Sequence, residues 1–124
     1  MANSVGYHEA EGALREETRD NHRALTSMQE ELEAADWYDQ RVDAASDGEL
    51  KEILAHNRDE EKEHFVMLLE WLRRRDAKFA TELHNRLETS GSIVAAEQAD
   101  TGERPAAGGA GSLGIGSLKG GNSL

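Results

Sequence analysis

The chain contains no cysteine. Disulfides, thiolate metal sites and iron–sulfur clusters are therefore excluded, and a cytoplasmic setting fits. It has no run of 18 apolar residues, so no segment reads as a membrane span. The N-terminus lacks the apolar region of a secretory signal. Basic residues are few: 14 Lys and Arg stand against 25 Asp and Glu, a net charge of -11. Such a surface argues against nucleic acid and anionic membrane as partners, and it attracts cations. Glycine and proline are nearly missing from most of the chain. Residues 7–90 hold only Gly12 and Gly48 and no proline, whereas residues 100–124 hold eight of the twelve glycines and the single Pro105. That contrast separates a helical body, residues 1–99, from a flexible tail, residues 100–124.

Within the body, helical periodicity starts at about His8. One row reads Ala10, Leu14, Glu17, Asn21, Ala24, Met28, Glu31, Ala35, Tyr38 and Val42, and a neighbouring row adds Leu25 and Leu32. This helix should end between Arg41 and Ala45. Ser46-Asp47-Gly48-Glu49 then reads as a capping box, with Ser46 as N-cap and Glu49 at N3. The second helix runs from about Asp47 to Arg75, and Arg73, Arg74 and Arg75 suit the negative end of its dipole. Two helices of this length joined by so short a loop form an antiparallel hairpin. Asp76 can cap a third helix from about Ala77 to Glu88. Gly91 and Ser92 break the chain before a short turn of helix from about Ile93 to Gln98.

The stretch Asp59-Glu60-Glu61-Lys62-Glu63-His64 carries the chemistry. Glu61 and His64 are three apart and share a helix face, where a carboxylate and an imidazole can hold one metal ion. By itself Glu-x-x-His arises by chance in many helices. Its flanks single it out: Leu50, Leu54, Asn57, Glu61, His64, Leu68 and Trp71 form a coiled-coil-like seam. Glu61 and His64 thus take positions reserved for the core, where a carboxylate is costly unless paired or metal-bound. Antiparallel packing brings Glu31 of the first helix to the level of Glu61. Around Glu31, the acidic Glu30, Glu33 and Asp36 form either a solvated face or a cation-attracting patch. Trp37 reads as a packing residue. His22 and His56 lie two or more turns from the site and read as structural.

A di-iron carboxylate bundle takes one Glu from each of two helices and a Glu-x-x-His from each of two others. Iron accepts such oxygen and imidazole donors. This chain has one of each, Glu31 and Glu61 with His64, which is half a site. Two long helices also cannot bury all their apolar faces within one chain. A two-fold dimer removes both deficits by building a four-helix bundle with a complete site on its axis.

The sequence resembles the encapsulated ferritins, short two-helix relatives of ferritin. The resemblance lies in EELEAADWYDQRVDA from Glu30 to Ala44, ILAHNRDEEKEH from Ile53 to His64, and LEWLRRRDAK from Leu69 to Lys78. It implies an all-α, ferritin-like four-helix bundle formed by dimerisation, and an annular decamer of five dimers. It implies a ferroxidase that oxidises Fe2+ with dioxygen at a di-iron site built from Glu31, Glu61 and His64 of two chains, with Tyr38 adjoining. It further implies that Glu30 and Glu33, with Trp37 close by, form a site where iron approaches that centre. The implied setting is a bacterial or archaeal cytoplasm, inside an encapsulin nanocompartment.

The tail points the same way. After a glycine–alanine spacer, Ser112-Leu113-Gly114-Ile115-Gly116-Ser117-Leu118-Lys119 places three aliphatic side chains in a glycine–serine background. The segment resembles encapsulin cargo-loading peptides, with Leu113, Ile115 and Leu118 as anchors to the shell protein. Many tethered copies would add avidity. Two other readings stay open on the residues alone: a non-enzymatic acidic helical interaction protein, and a di-metal oxidase of another substrate.

Overall fold

The computed structural model describes residues 6–100. The three tail anchors expected at Leu113, Ile115 and Leu118 lie outside the described residues. Helices α1 (Glu16–Ala44), α2 (Gly48–Arg75), α3 (Ala77–Arg86) and α4 (Ile93–Asp100) follow a 3₁₀ turn at Glu11–Ala13, and no strand occurs among the described residues. None of the helices is long and apolar enough to cross a membrane. The chain forms two compact units that divide between Asp76 and Ala77.

The first helix begins at Glu16, a full two turns after the expected His8. Gly12 lies in the 3₁₀ turn before it, and glycine is costly in a helix interior. Arg15 is extended at the N-cap, and Glu16 and Glu17 then fill the first turn, where carboxylates complement the helix dipole. The lead-in is tied down locally. The Tyr7 ring packs 4.9 Å from that of His22, and the Arg19 guanidinium donates to the Glu11 carbonyl at 3.2 Å.

Three residues, 45–47, connect α1 to α2. The N-cap of α2 is Asp47 rather than Ser46: its Oδ2 accepts from the Leu50 backbone N–H at 2.9 Å. A carboxylate accepts this bond more strongly than a hydroxyl and carries charge towards the positive end of the dipole. With the cap moved by one residue, Glu49 stands at N2 and closes no capping box. Lys51 then braces the turn, donating from Nζ to the carbonyls of Val42 at 2.7 Å and Ala45 at 3.1 Å. These are carbonyls that the end of α1 leaves without helical partners.

The two helices run antiparallel, as the ladder between them shows. Lys51 meets Val42, Arg58 Nη1 donates to Asp39 Oδ1 at 2.9 Å, and His64 faces Glu31. Ala24, Met28 and Leu72 close the far end as the buried core, with Phe65, Leu68, Leu69 and Trp71 packed against them. Leu72, 1% exposed, was absent from the row read off the sequence, which ended on Trp71. Leu50, which opened that row, is exposed. A helix turns about 100° per residue, so Leu72 lies five whole turns from Leu54 and in line with it. Trp71 lies one residue off that line. The hairpin leaves Leu25, Leu32, Trp37, Ile53, Val66 and Met67 exposed, because two helices can cover only one face of each other.

In the second unit α3 stops at Arg86, two residues before the expected end. Glu88 adopts a left-handed φ of 57° and Gly91 one of 79°, a common way to turn the chain out of a helix. Ser92 Oγ accepts from the Ala95 N–H at 3.0 Å to start α4. Arg86 pairs with Asp100 at 2.9 Å to join the two short helices.

Candidate metal centre

Midway along the hairpin, Glu31 of α1 meets Glu61 and His64 of α2. One potential ligand atom from each of the three lies within 4.8 Å of the others. The His64 Nδ1 stands 3.5 Å from Glu31 Oε1 and 3.5 Å from Glu61 Oε1. The carboxylates are mostly covered, with side chains 23% and 22% exposed, whereas the imidazole is 45% exposed. Within the single chain, then, Glu61 lies close to the packed line and His64 stands away from it. Glu61 lies about 20° from the line of Leu54 and Leu72, while His64 lies about 80° off it. The imidazole stands at the rim of the hairpin, so the site opens outwards.

The electrostatics of the cluster favour a cation. Glu31 is raised above its ordinary carboxylate value. The main cause is its hydrogen bond with Glu61; burial and the Glu61 charge add to it, and His64 opposes it. For His64, burial works against the charged form, yet the carboxylates of Glu31 and Glu61 outweigh it and hold its pKa above the usual imidazole value. Two carboxylates forced together beside an imidazole make a hard, oxygen-rich donor set of the kind that suits iron. A bound divalent cation would replace the shared proton and the repulsion together.

A groove of about 570 Å³ adjoins the cluster and is lined by Asp20, Arg23, Ala24, Ser27, Met67, Leu68 and Trp71 together with Glu31 and His64. Tyr38 lies two turns along α1 from Glu31, and its ring takes the Arg41 guanidinium at 5.3 Å. Glu30 and Glu33 are exposed beside Glu31 and outside the three-residue cluster. Trp37 is also exposed, and it lines a separate shallow groove with Gln40, Arg41 and Ala44.

Two features escaped the sequence reading. The interhelical pair of Arg58 with Asp39 sets the register one turn from the site. Glu60 faces the other side of the His64 ring, with Oε1 at 3.7 Å from Nε2. Its second oxygen meets His56 Nε2 at 3.7 Å. The four-residue spacing of His56, Glu60 and His64 was the available signal.

The sequence matches the EncFtn-like family over residues 6–90, most of the described chain. The chain belongs to the EncFtn-like family. It is 59% identical to the encapsulated ferritin-like protein of Rhodospirillum rubrum over 122 residues, covering 91% of this chain and 87% of that one. It is 46% identical to the ferritin-like protein of Thermotoga maritima over 96 residues, covering 77% and 84% respectively. A crystal structure of a Nitrosomonas europaea protein superposes with a TM-score of 0.68 at 60% identity, covering 71% of this chain and 97% of that one. The EncFtn-like match spans both long helices, and so includes all three residues of the cluster.

Proposed function

We propose that this EncFtn-like protein is a ferroxidase, with Fe2+ as its substrate and dioxygen as the electron acceptor. The observation that carries the reading is the meeting of Glu31, Glu61 and His64 at the outward edge of the hairpin. Each chain supplies two carboxylates and one imidazole, half of what a pair of iron ions takes in a four-helix carboxylate site. A two-fold dimer completes the set. The exposed Leu25, Leu32, Val66 and Met67 are the apolar surface such a dimer would cover. The open groove beside the cluster is space that a partner's helices would fill.

When bound, the two iron ions supply the electrons that reduce dioxygen. The residues of the chain do the rest. Glu31 and Glu61 would bind and neutralise the ions, and His64 would add a nitrogen donor. Protons held by Glu31 and His64 leave as the metal enters. Tyr38 adjoins the centre two turns along the same face of α1 as Glu31, and Glu30 and Glu33, with Trp37, draw iron towards it. Dimers of this kind close into a decameric ring, which encloses too little space to store much mineral. The names of the R. rubrum and T. maritima relatives, both ferritin-like, support an iron-handling role, and the word encapsulated in the first supports a place inside an encapsulin. There, Leu113, Ile115 and Leu118 would anchor the chain to the shell.

An anaerobic Fe2+ titration followed by admission of air tests the reading. The protein should accelerate the growth of ferric absorbance in the near ultraviolet, and Glu31→Ala should remove that acceleration. A rate equal to that of Fe2+ in buffer would exclude ferroxidase activity.

A further inference from the structure

The His64 ring lies between two sets of carboxylates. Its Nδ1 faces Glu31 and Glu61, each at 3.5 Å, and its Nε2 faces Glu60 at 3.7 Å. A neutral imidazole that gives one nitrogen to a metal keeps its proton on the other, and that N–H needs an acceptor. Glu60 is the carboxylate on that side. We infer that Glu60 is a positioning residue for His64: its carboxylate receives the Nε2–H when Nδ1 turns to a metal ion. His56 bears on the second Glu60 oxygen at 3.7 Å, so the carboxylate is held between two rings stacked along α2. This inference rests on reading Glu31, Glu61 and His64 as a metal-ligand set.

The geometry leaves room for the bond to close. At 3.7 Å the contact is electrostatic, and a hydrogen bond requires an approach of roughly 0.8 Å. The side chains of Glu60 and His64 are each 45% exposed in the chain, so neither is closely packed there. The bond would orient the ring and strengthen its donor nitrogen, as carboxylates behind metal-bound histidines do.

The test uses the full-length, metal-free chain and Zn2+ alone, titrated by calorimetry. The second readout is the imidazole nitrogen-15 spectrum of the Zn2+-loaded protein. Glu60→Ala should weaken Zn2+ affinity by roughly 10- to 100-fold and should speed solvent exchange of the His64 Nε2–H. Glu60→Gln keeps an accepting oxygen in the same shape and should lose less, which guards against a mere folding defect. Glu63→Ala removes an exposed charge from the same turn and serves as the control for bulk electrostatics. Equal losses in Glu60→Ala and Glu63→Ala, or no loss in Glu60→Ala, would overturn the positioning role. If His64→Ala still abolishes binding in that case, the ligand set stands without it. Wild-type protein that takes up no Zn2+ would overturn the ligand set, and the positioning role with it.

Discussion

Replacing Glu61 by glutamine separates a ligand from a packing residue, because the two roles predict opposite signs. The amide keeps the shape of the side chain and can donate to Glu31. In the metal-free protein the raised pKa of Glu31 comes first from its hydrogen bond with Glu61, then from burial and the Glu61 charge. An acid whose pKa is raised on folding loses stability as pH climbs from its unfolded value through its folded one. Glu61→Gln removes that loss, so the metal-free variant should be more stable than wild type near neutral pH. The advantage should vanish below about pH 4, where Glu31 is protonated in both states. With metal the order reverses. At free Fe2+ 100 times its Kd, binding stabilises the folded state by about 2.7 kcal/mol. Losing a group that merely hydrogen-bonds to a metal ligand costs about 10–100-fold in affinity, so about 100-fold is a modest allowance for a lost ligand. At the same iron concentration that leaves about 0.4 kcal/mol. The difference, about 2.3 kcal/mol, corresponds to roughly 9–18 °C in Tm for a domain of 60–100 residues. Anaerobic scanning calorimetry at one protein concentration, with and without Fe2+, measures both terms. A variant that melts lower without metal and keeps its full Fe2+ shift would show that Glu61 serves packing alone.

Leu72→Ala should cost about 2–5 kcal/mol, read as a lower urea midpoint with an unchanged slope, whereas Trp71→Ala should shift the midpoint less. Glu70 is held down to about 2 by its hydrogen bonds with Arg73 and Arg74, and its stabilising effect is present above the ordinary carboxylate value and lost as pH falls towards 2. Wild type and Glu70→Gln should therefore differ in melting temperature at pH 6 and converge near pH 2; a constant gap would count against the pairing. Glu30→Ala combined with Glu33→Ala should change the rate of Fe2+ oxidation at limiting iron while the particle size by light scattering stays the same. Deleting residues 112–124 should abolish packaging on co-expression with a shell protein and leave the oxidation rate untouched, as gradient sedimentation and absorbance would report.

The hairpin was legible because its signals are local. A long stretch with only Gly12 and Gly48 and no proline leaves two helices, and Ser46-Asp47-Gly48 can only be the turn between them. Which face packs was harder to read. Steps of four and three residues follow a supercoiled seam, and a straight helix drifts from that repeat by about 20° per heptad. Over three heptads the drift moved the contact row from Trp71 to Leu72, and His64 reaches the rim chiefly because three residues past Glu61 fall about 60° short of a full turn. Glu61 stayed close to the true line, so the meeting with Glu31 was visible from spacing, while the exposure of His64 was not. The choice of Asp47 over Ser46 as N-cap depends on which side chain reaches the Leu50 N–H, and both residue types are good caps. Glu60 was passed over because an exposed glutamate in an acidic run looks solvated until its distance to His64 Nε2 is known.

The braced connector bears on how this chain can change over time. Surface loops ordinarily absorb insertions and deletions at small cost. Here residues 45–47 are locked at one end by Lys51 on the Val42 and Ala45 carbonyls and at the other by the Asp47 cap. They set where Glu61 falls relative to Glu31. One residue gained or lost within α2 ahead of Glu61 would slide that carboxylate by about 1.5 Å and swing it by about 100° around its helix, out of reach of its partner. Substitutions can accumulate over the hairpin surface, but the residue count between the two carboxylates cannot drift. Among descendants of this chain, length variation should gather before Glu16 and after Asp100, with almost none between Glu31 and Glu61.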